Sequence, residues 1–448
     1  MTSLNPDTMT DPAAPAAPAD IAARLDRLPV TALHLLVLGV CALGFVFDLM
    51  EVAFGSVLSA VFSTPPNAVP PQQLAVLLAS MYLGAVVGSP LLGWVADRQG
   101  RRRTLVGLML WLGASSVAAA FSTGLDALTV CRALSGLALG AYPPLMISYL
   151  TDLLPPTRRG MLFMLMASVA ALGPPLGIFG VRALAHSQPL GMDPWRWGLA
   201  VGAAGATVVG LLFFVLPESP RWLKAKGRIA EAERACSAFE RSRVLLAAGA
   251  EVPKRSEADA PSRRPWPRVA TLFLLSPWAT VAFPLLSGAV LAQKGFGLSD
   301  TLFYVGISTF GPLVGSALAA LGLDRLDRRW LLMVCAAGMI VGGGLFVQTS
   351  QPGLLVLANV VFGIAGAVYI SAMTLYGSEL FPTPRRAASL AGAWSLNRVG
   401  AVAAPFLLLP LLKLSGPGAM FAVIAATLAA SIALLALSPQ GRQGQSVN

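Results

Sequence analysis

Two carboxylates, Asp48 and Glu51, stand in the middle of the apolar stretch LHLLVLGVCALGFVFDLMEVAFGSVLSAV. No other acidic residue falls near the centre of such a run. A carboxylate placed in hydrocarbon costs about 2.5–3.5 kcal/mol, so each should face a cavity or a partner. Their i, i+3 spacing puts both on one face of a helix. Two acids held there suit a site that loads and releases a proton; a structural ion pair or a water-lined packing feature is the alternative. Arg398, in NRVGAVAAP, is the matching cation, with Asn397 beside it. A guanidinium keeps its charge, which makes it a poor proton carrier and a good carboxylate partner. Arg398 therefore reads either as a binder of an anionic substrate or as an ion-pair partner of Asp48 or Glu51, and the two roles can alternate. Arg132 and Arg182 also fall inside apolar runs, where pairing or snorkelling accounts for them. His34 and His186 have no metal-ligand partners, and the cysteines show no CxxC or CxxH spacing, so no metal site or disulfide framework is expected.

The elements that hold these residues are membrane helices. Charged residues make up only 12% of the chain against 56% apolar, where a soluble domain carries about 25% charge. An apolar run of about 20 residues crosses a bilayer as a helix. Twelve such runs occur, at 33–61, 72–95, 104–122, 127–151, 161–184, 196–216, 269–292, 300–322, 330–348, 353–378, 388–412 and 417–437. The expected fold is an all-α membrane protein of two pseudo-symmetric six-helix bundles. The expected divisions are a disordered tail (1–30), a first bundle (31–216), a central loop (217–268), a second bundle (269–437) and a C-terminal tail (438–448). Lys and Arg are distributed very unevenly: 26 lie on the side of the termini, three in the opposite loops and three inside spans. The positive-inside rule then places both termini in the cytoplasm. That distribution explains the net charge of +11 by the membrane surface, with no basic stripe for nucleic acid.

The halves are related by a constant offset of 227 residues. It relates Asp97-Arg98 to Asp324-Arg325, Asp152 to Glu379, and Arg158 to Arg385. It also relates Gly136, Tyr142, Met146 and Tyr149 to Gly363, Tyr369, Met373 and Tyr376. One offset across two loops and a helix points to a duplicated unit, as in many transporters.

Several segments resemble those of the major facilitator superfamily. The loop after span two, Gly93-Trp-Val-Ala-Asp97-Arg98-Gln-Gly100-Arg101-Arg102, is similar to the superfamily's signature, with a weaker copy at Asp324-Arg325. Arg132-Ala-Leu-Ser-Gly136 resembles its span-four motif, and Pro217-Glu218-Ser219-Pro220-Arg221 a motif of the sugar-porter branch and its organic-ion relatives. The resemblance implies a conformational latch at the loop motifs, with Asp152, Arg158, Glu218, Arg221, Glu379 and Arg385 in the same cytoplasmic network. It implies a proton-transfer role for Arg132 beside Asp48 and Glu51. It also implies a cavity lined by spans one, four, seven and ten, to which Tyr142, Tyr369 and Asn359 belong.

The chain departs from the sugar-porter pattern, because spans five and seven lack the glutamines that sugars would engage. With no GxxxxGKS loop for ATP and no enzyme motif, the expectation is a monomeric secondary transporter of the inner membrane that needs no cofactor. It would move a small organic anion, an aromatic acid or other carboxylate, by proton symport. A proton-coupled exporter of hydrophobic compounds and a sugar or polyol porter are the alternatives.

Overall fold

The computed structural model describes residues 21–156, 158–185, 189–246, 266–322, 327–380 and 383–438, without the side chains of 320–322, 378–379, 383–388 and 391. Within lipid a backbone must satisfy its own hydrogen bonds, and the apolar runs accordingly form helices. Spans one to four are single helices: Ala32–Val61, Pro71–Gln99, Arg101–Ala120 and Leu125–Leu153. Span six begins at Pro194–Leu212; spans nine and ten are Arg328–Gln348 and Pro352–Leu380. Spans eleven and twelve run on as Thr383–Ala436, divided at Gly416, whose φ of 84° breaks the helix.

Spans five, seven and eight each break once. The pieces are Arg159–Ala170 with Gly173–Ala183, Trp266–Thr280 with Ala282–Gln293, and Leu298–Ser308 with Phe310–Gly322. Each first piece ends four residues before a proline: Pro174, Pro284 and Pro312. A proline lacks the N–H that would bond four residues back, and its ring crowds that carbonyl.

Close packing is written in glycine. Spans two and four touch through Gly84, Gly88, Gly136 and Gly140, where an added Cβ would lie 2.0–2.3 Å from a carbonyl oxygen of the opposite helix. Gly311 and Gly315 set span eight against span ten in the second half, with carbonyl oxygens at 2.7 and 2.6 Å from the same virtual position. Gly173 sets span five against Val46 of span one. The GxxxG-like spacings therefore serve helix packing.

The segment expected to be a disordered tail differs after residue 20. Ile21–Arg27 is a helix, and Val30–Thr31 forms a short strand antiparallel to Val244–Leu246 of the central loop. Ile21 and Leu25, one turn apart, are buried with Cys236 and Phe239 of the loop helix Ile229–Arg241. Arg24 binds Glu240 through two bonds of 2.9 Å and Glu233 at 2.7 Å. Glu240 is thereby held below the usual carboxylate range. Composition hid this segment because three residues of the helix, Ile21, Arg24 and Leu25, carry its docking on the loop helix. Span seven also begins earlier than expected, at Trp266.

The halves meet at the end remote from the termini. Gly288 of span seven faces Ser56 and Ala60 of span one, and Gly55 faces Leu285. The ring of Phe179 in span five occupies the space a Cβ on Gly306 of span eight would need, and packs on Phe303 and Phe310.

Candidate functional site

Glu51 and Arg132 form a buried ion pair between spans one and four, each 2% exposed. The second guanidinium nitrogen reaches the Glu51 carbonyl (3.1 Å) and the Met81 sulfur (3.0 Å). The pairing alternative raised for Arg132 thus describes its geometry, and snorkelling does not. A buried pair is held by its mutual attraction and hydrogen bonds; one partner alone would be an uncompensated charge.

Asp48 lies one turn earlier on the same helix, also 2% exposed, and its Oδ1 has no hydrogen-bond partner. Arg398 approaches from the other half. Its guanidinium donates to the carbonyls of Gly140 (2.8 Å) and Ala85 (3.3 Å), on the glycine seam of spans four and two. The charges of Asp48 and Arg398 act on one another across the interface. Arg398 is therefore not salt-bridged to Asp48 or Glu51 here: it is held by neutral backbone oxygens. These bonds pair the guanidinium with dipoles and with no carboxylate in direct contact.

Of the other expected cavity residues, Tyr142 and Asn397 are hydrogen-bonded within their own halves. The Tyr142 hydroxyl donates to the Cys41 carbonyl (2.8 Å), tying span four to span one. Asn397 donates to Ser276 (2.7 Å), tying span eleven to span seven. Tyr369 is fully buried, and Asn359 is 4% exposed with Nδ2 unbonded. The 227-residue offset makes Asn359 the counterpart of Arg132, so a neutral amide occupies in the second half the place of the ion-pair cation.

The loop motif forms a network inside the first half. Gly100 ends span two at φ 109°, which favours glycine, and a Cβ there would lie 2.4 Å from Glu218 Oε2. Glu218 Oε1 accepts from the backbone N–H of Arg102 (3.0 Å) and of Ser219 (2.9 Å). Arg102 donates to the Leu216 carbonyl (2.8 Å), and Trp222, which follows Arg221 in the same motif, to the Asp97 carbonyl (3.1 Å). Arg101 lies 3.6 Å from both Asp97 and Asp152, and Ser219 donates to Asp152 (2.6 Å). Arg221 joins Asp26 (2.5 Å) to the Asp152 carbonyl (3.1 Å). The Asp97 side chain is 76% exposed, Arg98 stacks on Trp94 at 3.8 Å, and Gly93 has open space around it. Arg158 has its Nε buried without a partner. Asp324 and Arg325 lie outside the described residues, as do the side chains of Glu379 and Arg385, and His186.

His34 is a structural residue: its Nδ1 accepts from the Thr31 N–H (3.1 Å), and its ring packs on Phe239 at 4.6 Å. Arg182, expected to snorkel, instead joins the halves. It donates to the Ser299 carbonyl (3.1 Å) and lies over the Phe303 ring at 5.0 Å. The nearby carbonyl and ring offer it partners inside the protein, so it need not seek the headgroups.

Residues 36–438 match the profile of a family described as sugar (and other) transporter. The chain is 28% identical to the inner membrane metabolite transport protein YgcS of Escherichia coli, over 86% of each protein. It is 24% identical to the niacin transporter NiaP of Acinetobacter baylyi, over 96% of this chain and 99% of that one. A structure of the xylose transporter XylE from E. coli, in a partially occluded inward open conformation, shares the fold. Its TM-score is 0.72 at 20% identity, covering 93% of this chain and 100% of the other. A duplicated six-helix bundle, a charged centre between its halves and a family match over nearly the whole length have one reading: the chain belongs to the sugar (and other) transporter family of the major facilitator superfamily, and is a membrane transporter, not an enzyme.

Proposed function

We propose that this transporter carries a small organic anion by proton symport, with aromatic acids and related carboxylates as the leading class. The observation that carries the proposal is Arg398, a cation from one half resting on neutral carbonyls of the other, within electrostatic reach of Asp48, whose Oδ1 has no hydrogen-bond partner. A substrate carboxylate gives the guanidinium a better partner than two carbonyls do. Asp48, and Glu51 when released from Arg132, are the proton-carrying groups. The similarity to a niacin transporter supports a carboxylated aromatic ring, since niacin is one.

In the proposed orientation both termini are cytoplasmic, in keeping with the positive-inside rule. The closed end is then the outer one, and the state is inward-facing. Asp48 takes a proton when the cavity faces outward, Arg398 takes the substrate, the halves rock, and both ligands leave inward. The transporter works as a monomer and uses no cofactor besides the proton. The family description favours a second reading, a sugar porter, for which the shortage of amide and hydroxyl groups is the difficulty.

Proton flux in proteoliposomes tests the proposal. A trapped pH dye reports while aromatic acids, aliphatic carboxylates, sugars and hydrophobic cations are added singly, with protein-free vesicles correcting for passive entry of weak acids. Proton entry with carboxylates alone is expected. Entry with sugars alone selects the second reading, and proton exit on adding cations shows an exporter. Asp48→Asn should abolish proton-driven uptake while leaving exchange partly intact; uptake with an unchanged pH dependence would remove Asp48 from the proton path.

A further inference from the structure

The strand Val244–Leu246 exposes three large aliphatic side chains in succession, at 54%, 43% and 40%. Arg241 and Arg243 precede it, both exposed. A run of this kind on a short sheet facing water invites association. Its position supplies a different neighbour. The strand pairs with Val30 and Thr31, which are fully buried, and the next residue opens span one. The Ala32 N–H donates to the Arg243 carbonyl (2.8 Å), and that of Leu33 to Ser242 Oγ (3.0 Å).

The strand is thus fixed at the level where span one leaves the membrane. Just inside, Ala32, Leu36, Gly39 and Leu43 form an exposed stripe along one face of that helix. Asp48, five residues past Leu43, points about 140° away, so the stripe faces lipid and not the charged centre. The exposed strand continues this lipid-facing surface past the end of the helix.

We propose that Arg241–Leu246 is an interfacial membrane anchor. Val244, Leu245 and Leu246 enter the boundary between headgroups and acyl chains, and Arg241 and Arg243 engage anionic headgroups. The anchor fastens the central loop, and through it the N-terminal helix, to the membrane plane on the first half's side.

Spin labels on the full-length protein test it, at Val244→Cys and Leu245→Cys separately, with Ala238→Cys on the exposed face of the loop helix as reference. The unsubstituted protein reports background from its own cysteines. The proteins are reconstituted in phosphatidylcholine, alone or mixed with phosphatidylglycerol. Collision rates are read with oxygen, which concentrates in lipid, and with a water-soluble nickel chelate. Several-fold more oxygen and less nickel contact than at Ala238 is expected at both positions. Nickel contact equal to that at Ala238 shows a strand in water and overturns the proposal. Shielding from both reagents shows a protein cover, from this chain or a second copy, and also overturns it. Arg241→Gln with Arg243→Gln should move the labels toward water in the phosphatidylglycerol mixture alone; unchanged depth there overturns the role of the two arginines.

Discussion

Glu51 and Arg132 neutralise one another where neither is stable alone, and that fixes how each behaves on substitution. Arg132→Met should cost about 3–5 kcal/mol, because the Glu51 carboxylate is left buried without its counter-ion. Adding Glu51→Gln should recover most of the loss. Denaturant unfolding of the detergent-solubilised variants checks both; equal destabilisation by the single and double variants would show that packing, not charge, holds the site. These residues were legible in the sequence because charge inside an apolar run is rare. Their partners were not. Spacing along span one cannot say that Glu51 meets span four while Asp48 stays unbonded, or that Arg398 rests on carbonyls. Those outcomes depend on how far each side chain reaches across a helix interface.

At the scale of elements, the apolar runs gave the spans directly, and the prolines set the breaks in spans five, seven and eight. The N-terminal helix was missed, since its docking depends on a loop helix more than 200 residues away. Its attachment should respond to acid. The Glu240 carboxyl is held below its ordinary range by Arg24, so the bond stabilises docking above about pH 4.3, the usual carboxylate pKa. The contribution is lost as pH falls through the lowered value, because protonation then removes the acceptor charge. Protection factors in Ile21–Arg27, measured against the intrinsic exchange rate at each pH, should fall in acid, and Arg24→Ala should lower them already at neutral pH. Protection insensitive to both would show that Ile21 and Leu25 hold the helix unaided.

The whole molecule is closed at one end by Phe179 in the space above Gly306, by Arg182 on Ser299, and by spans one and seven. Alternating access requires these contacts to part. Cysteines at Arg182 and Ser299, joined by a short cleavable thiol reagent, should stop transport, and cleavage should restore it. Transport that survives complete cross-linking would show that this end need not open. Motifs identified the superfamily because its loops and helix ends carry charge in fixed order. The seal of this end left no such signature, being made of one ring, one glycine and backbone.

The seam of Gly84, Gly88, Gly136 and Gly140 bears on how such a protein tolerates change. Each position has a carbonyl where any side chain would begin, so nearly every replacement forces two helices apart. A saturation screen for function would rank these four glycines beside Glu51 and Arg132, though they have no side chain to offer a ligand. Intolerance to substitution in this family therefore measures closeness of backbone as much as chemistry. Separating the two requires variants scored for folding as well as for uptake.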